Sequence, residues 1–159
     1  MRVSLVDLGV ALVVGLLFAF ALTPSEGGGG PTLVMVAIPA LTPGVLNPDV
    51  TQETIDETIC VTGWTRTVRP PSSYTSQLKV EQMAQYGLAG SPSDYQEDHF
   101  VSLELGGHPT DPRNLWPEWL PQAREIDAIS HELNDLVCAG KLPLAEAQRR
   151  LAAIKHGEG

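Results

Sequence analysis

The chain has 159 residues, and its ten lysines and arginines stand against nineteen aspartates and glutamates, for a formal charge of −9. A hydrophobic content of 43% is enough for a packed core and excludes wholesale disorder. Affinity for nucleic acid comes mainly from Lys and Arg that neutralise phosphates, so the charge argues against a protein that binds DNA tightly by electrostatics alone.

Residues 1–22 have the composition of a targeting segment. Arg2 and the amino terminus supply positive charge, and an unbroken apolar run extends from Leu8 to Leu22. The sequence Ala19-Phe20-Ala21 offers a small-x-small cleavage pattern, which predicts a signal peptide. An uncleaved membrane anchor is the alternative, because further apolar residues precede Asp7. In both cases the remainder of the chain faces an extracytoplasmic space, and only this segment would touch a membrane.

Residues 23–48 are rich in glycine and proline and predict a flexible linker, with a short apolar patch from Leu33 to Leu41 that is able to pack on the following domain. Residues 49–159 then form the domain itself. Its two cysteines are Cys60 and Cys138, and an even count in an exported chain favours a disulfide. Two buried thiols are the alternative.

Periodicity, proline positions and capping residues predict mixed elements in this domain. In chain order they are a short helix from Asp49 or Thr51 to Ile59, an extended segment over 66–69, a helix over 74–86, a strand over 99–105, a return strand at 114–116, a long helix over 121–139 and a final helix over 143–154.

The stretch with the most chemical information begins at Glu97-Asp98-His99, continues through Gly106-Gly107 and reaches Asn114. Neighbouring strand residues point to opposite faces, so the carboxylate and the imidazole take different roles. One can bind a metal ion while the other takes a proton from water. An asparagine that arrives on the return strand can bind the histidine or its loop and fix the ring, which is what a general base requires.

This stretch resembles the core of the HNH, or His-Me finger, endonucleases, in which two strands and a helix surround one divalent ion. The resemblance covers about residues 97–134, and the wider region 60–140 is similar to exported bacterial proteins with the same elements. It implies an α+β fold with a small ββα-metal core, flanking helices and many loops. It also implies that Asp98 is a metal ligand, His99 the general base and Asn114 the structural asparagine.

The last ligand of that family lies on the helix, and the corresponding count lands on Ala123, which has no ligand atom. Asp127 and His131 lie four residues apart on one helix face and are the replacements, with Asp127 the first choice. A carboxylate favours Mg²⁺ or Mn²⁺, whereas recruitment of His131 favours Zn²⁺ or Ni²⁺.

Arg66, Arg69 and Arg113 are the candidate phosphate contacts, because the guanidinium fork matches phosphate oxygens. The sequence therefore predicts an exported metal-dependent nuclease that cleaves DNA with little sequence preference. The alternative is a noncatalytic extracytoplasmic binding or envelope protein on the same scaffold. The lack of a ligand atom at Ala123 and the acidic net charge both favour this alternative.

Overall fold

The computed structural model describes residues 35–158 and shows a loop-rich α+β fold. Within that range there are four α-helices and one sheet of two antiparallel strands. The elements are α1 (Trp64–Val68), α2 (Ser72–Gln85), β1 (Tyr95–His99), β2 (Leu115–Trp119), α3 (Leu120–Cys138) and α4 (Leu144–Lys155). The coarse prediction of a mixed, loop-rich fold is thereby confirmed.

The two strands pair along their whole length, with Asp98 opposite Trp116 and His99 opposite Leu115. Helix α3 follows β2 without a loop and has Pro121 in its first turn, where the missing amide proton costs nothing. The order from β1 to α3 is thus strand, strand, helix. This arrangement brings the end of β1 close to α3.

The core lies between the sheet, α3 and α4. The inward positions of α3 recur at helical spacing, and α4 presents a second inward row to the same core. The fully buried residues between them include Phe100, Leu105 and Trp116. The two helical faces, the sheet and the loop after β1 therefore share the burial that stabilises the fold.

The predicted strand over 99–105 is wrong, because β1 ends at His99 instead of beginning there. The chain then leaves the ladder: the Phe100 amide donates to the Asn114 carbonyl, and the Val101 amide donates to the Asn114 side chain. Since these side-chain and turn bonds satisfy the backbone, no partner strand is needed. A 3-10 turn at Leu103–Leu105 follows.

Two further predictions differ from the structure. The segment 66–69 is not extended, because α1 runs to Val68, and only Arg69, directly before Pro70, has β geometry. Proline restricts its immediate predecessor and not the residues before it. The predicted helix ending at Ile59 is reduced to a 3-10 turn at Ile55–Glu57. There the Thr54 hydroxyl bonds the Asp49 and Thr51 carbonyls, which competes with helical bonding.

Part of the predicted linker is packed on the domain. Met35 exchanges two hydrogen bonds with the Gln122 side chain, the Ala37 amide donates to the Lys155 carbonyl, and Leu46 pairs with Gly107. Ala37 is buried, as the apolar patch predicted. The rest of the linker and the predicted targeting segment lie outside the described residues.

Cys60 and Cys138 form a disulfide, which confirms the prediction from the cysteine count. The bond ties the end of α3 to the chain just before α1. A disulfide is compatible with an extracytoplasmic protein. None of the helices within residues 35–158 combines the length and the apolar character needed to cross a membrane.

Candidate active site

A cavity of about 220 Å³ opens where β1 ends, between Arg69 after α1, the loop after β1, and α3. Four residues singled out from the sequence line it: Arg69, Asp98, His99 and Asp127. Glu104 and Gln96 also line it, although sequence reasoning gave neither a role there. The fold thus gathers residues from four separate segments at one place.

The other predicted site residues lie outside this lining. The His131 Nδ1 lies 3.4 Å from Glu104 Oε2, so it reaches the cavity only through that carboxylate. Arg66 is exposed on α1. Arg113 is committed to an ion pair with Asp111 at 2.7 Å. Of the three candidate arginines, Arg69 is the one that the structure brings to the cavity.

His99 is buried, with 5% of its surface exposed, and its Nε2 lies 2.9 Å from the Pro109 carbonyl oxygen. Because a carbonyl oxygen can only accept, Nε2 carries the proton and Nδ1 is the basic nitrogen of the neutral ring. Burial lowers the pKa of His99 despite the opposing effects of the Pro109 bond and of Asp98. The imidazole is therefore neutral at pH 7 and able to accept a proton.

Asn114 is completely buried and binds the loop rather than the histidine ring. Its Oδ1 accepts from the Val101 amide at 2.9 Å, and its Nδ2 donates to the Val101 and His108 carbonyls at 3.1 and 3.0 Å. Pro109, which orients His99, directly follows His108. A Cβ at Gly107 would overlap the Val101 carbonyl, so only glycine fits inside this clamp.

Asp98 is bound by an ammonium group that sequence reasoning missed. Lys155 Nζ lies 2.5 Å from Asp98 Oδ2, 2.9 Å from the His99 carbonyl and 3.4 Å from Glu118 Oε2. Gln96 Nε2 donates to the other oxygen, Asp98 Oδ1, at 3.2 Å. Lys155 continues the inward row of α4, so a lysine on an apolar helix face was the signal that could have revealed it.

Burial and charge act in opposite directions in this group. Burial disfavours the ionised form of Asp98, but the attraction of Lys155 outweighs it and lowers the pKa of the carboxyl. Burial likewise opposes the charge on Lys155, but Asp98 and Glu118 raise its pKa. Burial raises the pKa of Glu118 to about 7, although Lys155 opposes the shift. Asp98 and Lys155 therefore form a buried ion pair at neutral pH.

Two further carboxylates border the cavity. Burial, followed by repulsion from Asp98, raises the pKa of Asp127. Burial also raises the pKa of Glu104, while the bond from His131 opposes it. A cation placed between Asp98 and Asp127 would relieve their repulsion.

The donor set limits the kind of ion that fits. No three His, Cys, Asp or Glu side chains of residues 35–158 come close enough together to hold one metal ion. Asp98 and Asp127 both line the cavity, and one or two carboxylates are the protein ligands that Mg²⁺ typically takes, with water and phosphate oxygens completing its shell.

Glu97 lines a second cavity of about 340 Å³, together with Lys79 and Tyr95. Both of its carboxylate oxygens are buried and have no hydrogen-bond partner in the described part of the chain. Burial, followed by repulsion from Asp98, raises the pKa of Glu97 to about 8. Glu97 is thus a neutral acid at pH 7, which its place in the sequence did not indicate.

Comparison with known proteins returned no matching family model, no matching curated protein and no matching solved structure.

Proposed function

We propose that this protein is an exported, metal-dependent nuclease that hydrolyses phosphodiester bonds in DNA with little sequence preference. The single observation that carries the proposal is the protonation state and orientation of His99. This residue is a neutral imidazole whose Nε2 is fixed by the Pro109 carbonyl, in a cavity that two aspartates and an arginine also line. The disulfide between Cys60 and Cys138 supports export, because such bonds persist in oxidising compartments.

In this mechanism His99 acts as the general base. Its Nδ1 accepts a proton from the attacking water, while the Pro109 carbonyl keeps the ring in one tautomer. The ionised Asp98 beside it stabilises the imidazolium that forms, since opposite charges attract strongly away from water. Asn114 contributes by holding the loop that carries Pro109 and does not contact the reacting atoms.

Asp98 and Asp127 are the residues that would hold the divalent ion, with Mg²⁺ or Mn²⁺ preferred. Zn²⁺ or Ni²⁺ would require His131 to leave Glu104 and join them. When bound, such an ion supplies Lewis-acid stabilisation of the charge that develops on the phosphate. Arg69 is placed to contact a neighbouring phosphate oxygen.

A plasmid-nicking assay in Mg²⁺ or Mn²⁺ tests this proposal. The wild type should nick plasmid, and His99→Ala should lose at least ~10²-fold in rate, as expected for loss of a general base. Added imidazole should restore part of the rate, because it can enter the space that the side chain vacates. Robust metal-dependent cleavage by a folded His99→Ala protein without imidazole would remove the proposed role.

Two arginines provide a matched pair for the substrate contact. Arg69 lines the cavity, whereas Arg113 is exposed and paired with Asp111. Arg69→Gln should therefore raise the DNA concentration needed for half-maximal cleavage, and Arg113→Gln should leave it unchanged. Equal effects of the two substitutions would contradict the placement of the scissile phosphate in this cavity.

A noncatalytic extracytoplasmic binding or envelope protein on this scaffold is the second candidate. Two observations favour it: Ala123 is fully buried in the core, and Asp98 is already bound by an ammonium group. A folded wild-type protein that cleaves neither single- nor double-stranded DNA in any of the four metals would favour this candidate over the nuclease.

A further inference from the structure

We propose that Lys155 is a resident cation of the candidate active site, that it competes with a divalent metal ion for Asp98, and that it thereby keeps the metal affinity low. The inference deepens the proposed function and rests on it only for the presence of a metal ion at Asp98. Lys155 lies 57 positions along the chain from Asp98, and its ammonium contacts both that carboxylate and the His99 carbonyl.

The fold fixes the position of the Lys155 side chain, which is buried and does not extend from the surface. Only 1% of the residue is exposed. It ends the inward row of α4, and its own carbonyl accepts from the Ala37 amide, so the chain around Ala37 lies against this end of the helix. The ammonium cannot reach water without leaving its partners, and its three contacts are therefore kept together.

The ammonium acts on the same carboxylate that a metal ion would need. It binds Asp98 Oδ2, while Gln96 donates to Oδ1, so neither oxygen of Asp98 is free of a donor. A divalent ion on Asp98 would have to share this carboxylate with a buried positive charge. Repulsion between two cations is strong where water is largely excluded, so binding either displaces the ammonium or stays weak.

Removal of the positive charge should therefore create a stronger metal site. Asp98, Glu118 and Asp127 would remain, and each of them lies in the electrostatic neighbourhood of Lys155. Lys155→Gln keeps a hydrogen-bond donor and loses the charge, whereas Lys155→Arg keeps the charge. These two variants separate the electrostatic effect from the packing of the side chain.

Calorimetric titration of the full-length chain with Mn²⁺ tests the inference. Lys155→Gln should bind Mn²⁺ with a Kd at least ~10-fold lower than the wild type, as expected when a neighbouring like charge is removed. Lys155→Arg should keep the wild-type Kd. The double variant Lys155→Gln/Asp98→Asn should lose the gain, which locates the ion at Asp98.

Several results would overturn the inference. They are a Lys155→Gln protein that binds Mn²⁺ no more tightly than the wild type, an equal gain in Lys155→Arg, or a gain that persists without the Asp98 charge. A Lys155→Gln protein that stays unfolded even with Mn²⁺ present would also count against it, because the metal ion then cannot take the place of the ammonium. A lack of DNA cleavage would refute the nuclease alone, since these affinities are measured without substrate.

Discussion

Substitution of Glu97 by glutamine should stabilise the protein, and the gain should grow with pH. Both carboxylate oxygens are buried without a hydrogen-bond partner in the described residues, and the pKa of Glu97 is raised from 4.5 to about 8. The folded state therefore holds a proton over a pH range in which the unfolded chain has lost it. By linkage, the free energy of unfolding falls as pH rises through this range and levels off above the folded pKa.

The size of the effect follows from the shift. Each pKa unit corresponds to about 1.4 kcal/mol, so a shift from 4.5 to about 8 sets an upper value of about 5 kcal/mol. The residue as a whole is only partly buried, so water can approach the carboxylate when it ionises, and this relaxation reduces the expected difference to about 2–3 kcal/mol. Glutamine imitates the protonated acid, so the variant and the wild type should be equally stable at about pH 3, well below 4.5, where Glu97 is protonated in both the folded and the unfolded chain.

Urea unfolding followed by circular dichroism across this pH range measures the difference directly. Glu132→Gln, on the exposed face of α3, is the matched control and should show no pH-dependent gain. A difference between Glu97→Gln and the wild type that stays constant from acid to alkaline pH would refute the reasoning, because it would mean that Glu97 ionises alike in the folded and unfolded chains.

Two other predictions concern stability. Replacing Cys60 and Cys138 by serine opens a loop with a sequence separation of 78 and should lower the free energy of unfolding by about 4.5 kcal/mol, measured by urea unfolding against the oxidised wild type; equal stabilities would contradict the constraint. Asn114→Ala leaves the Val101 amide and the His108 carbonyl unsatisfied and should cost about 3 kcal/mol, with faster amide exchange in the loop; unchanged exchange would show that the clamp does not hold it.

The parts of the fold that could be predicted are those with local signals. The helices α3 and α4 follow from apolar residues at helical spacing, with Pro121 and Pro143 at their starts. The disulfide follows from the cysteine count. The bounds of β1 could not be predicted, because the alternating apolar residues after His99 are buried by a clamped loop and not by a strand. The side-chain bonds of Asn114 and the turn bonds from Ser102 to Gly107 distinguish the two cases.

The candidate site also has residues that could be predicted from the sequence and one that could not. Asp98 and His99 were singled out from the resemblance to HNH endonucleases, and Asp127 as a replacement for that family's last ligand; the structure brings all three to one cavity. Lys155 was missed because its contact with Asp98 joins positions 57 apart, and no local period reports such a pair. Its position in the apolar row of α4 was visible in the sequence, but lysines are rarely fully buried, so the position alone did not indicate burial.

The charges around the cavity show how the net charge of −9 bears on DNA binding. Asp98, Glu104 and Asp127 meet Arg69 at the lining of the cavity, and Lys155 lies behind Asp98. Without a metal ion, a phosphate entering the cavity would meet one exposed arginine and several carboxylates. Repulsion by the carboxylates therefore opposes DNA binding. A divalent ion at Asp98 would reverse the local sign. In the proposed nuclease, DNA binding and metal binding are therefore coupled. Because Lys155 weakens metal binding, it also weakens DNA binding.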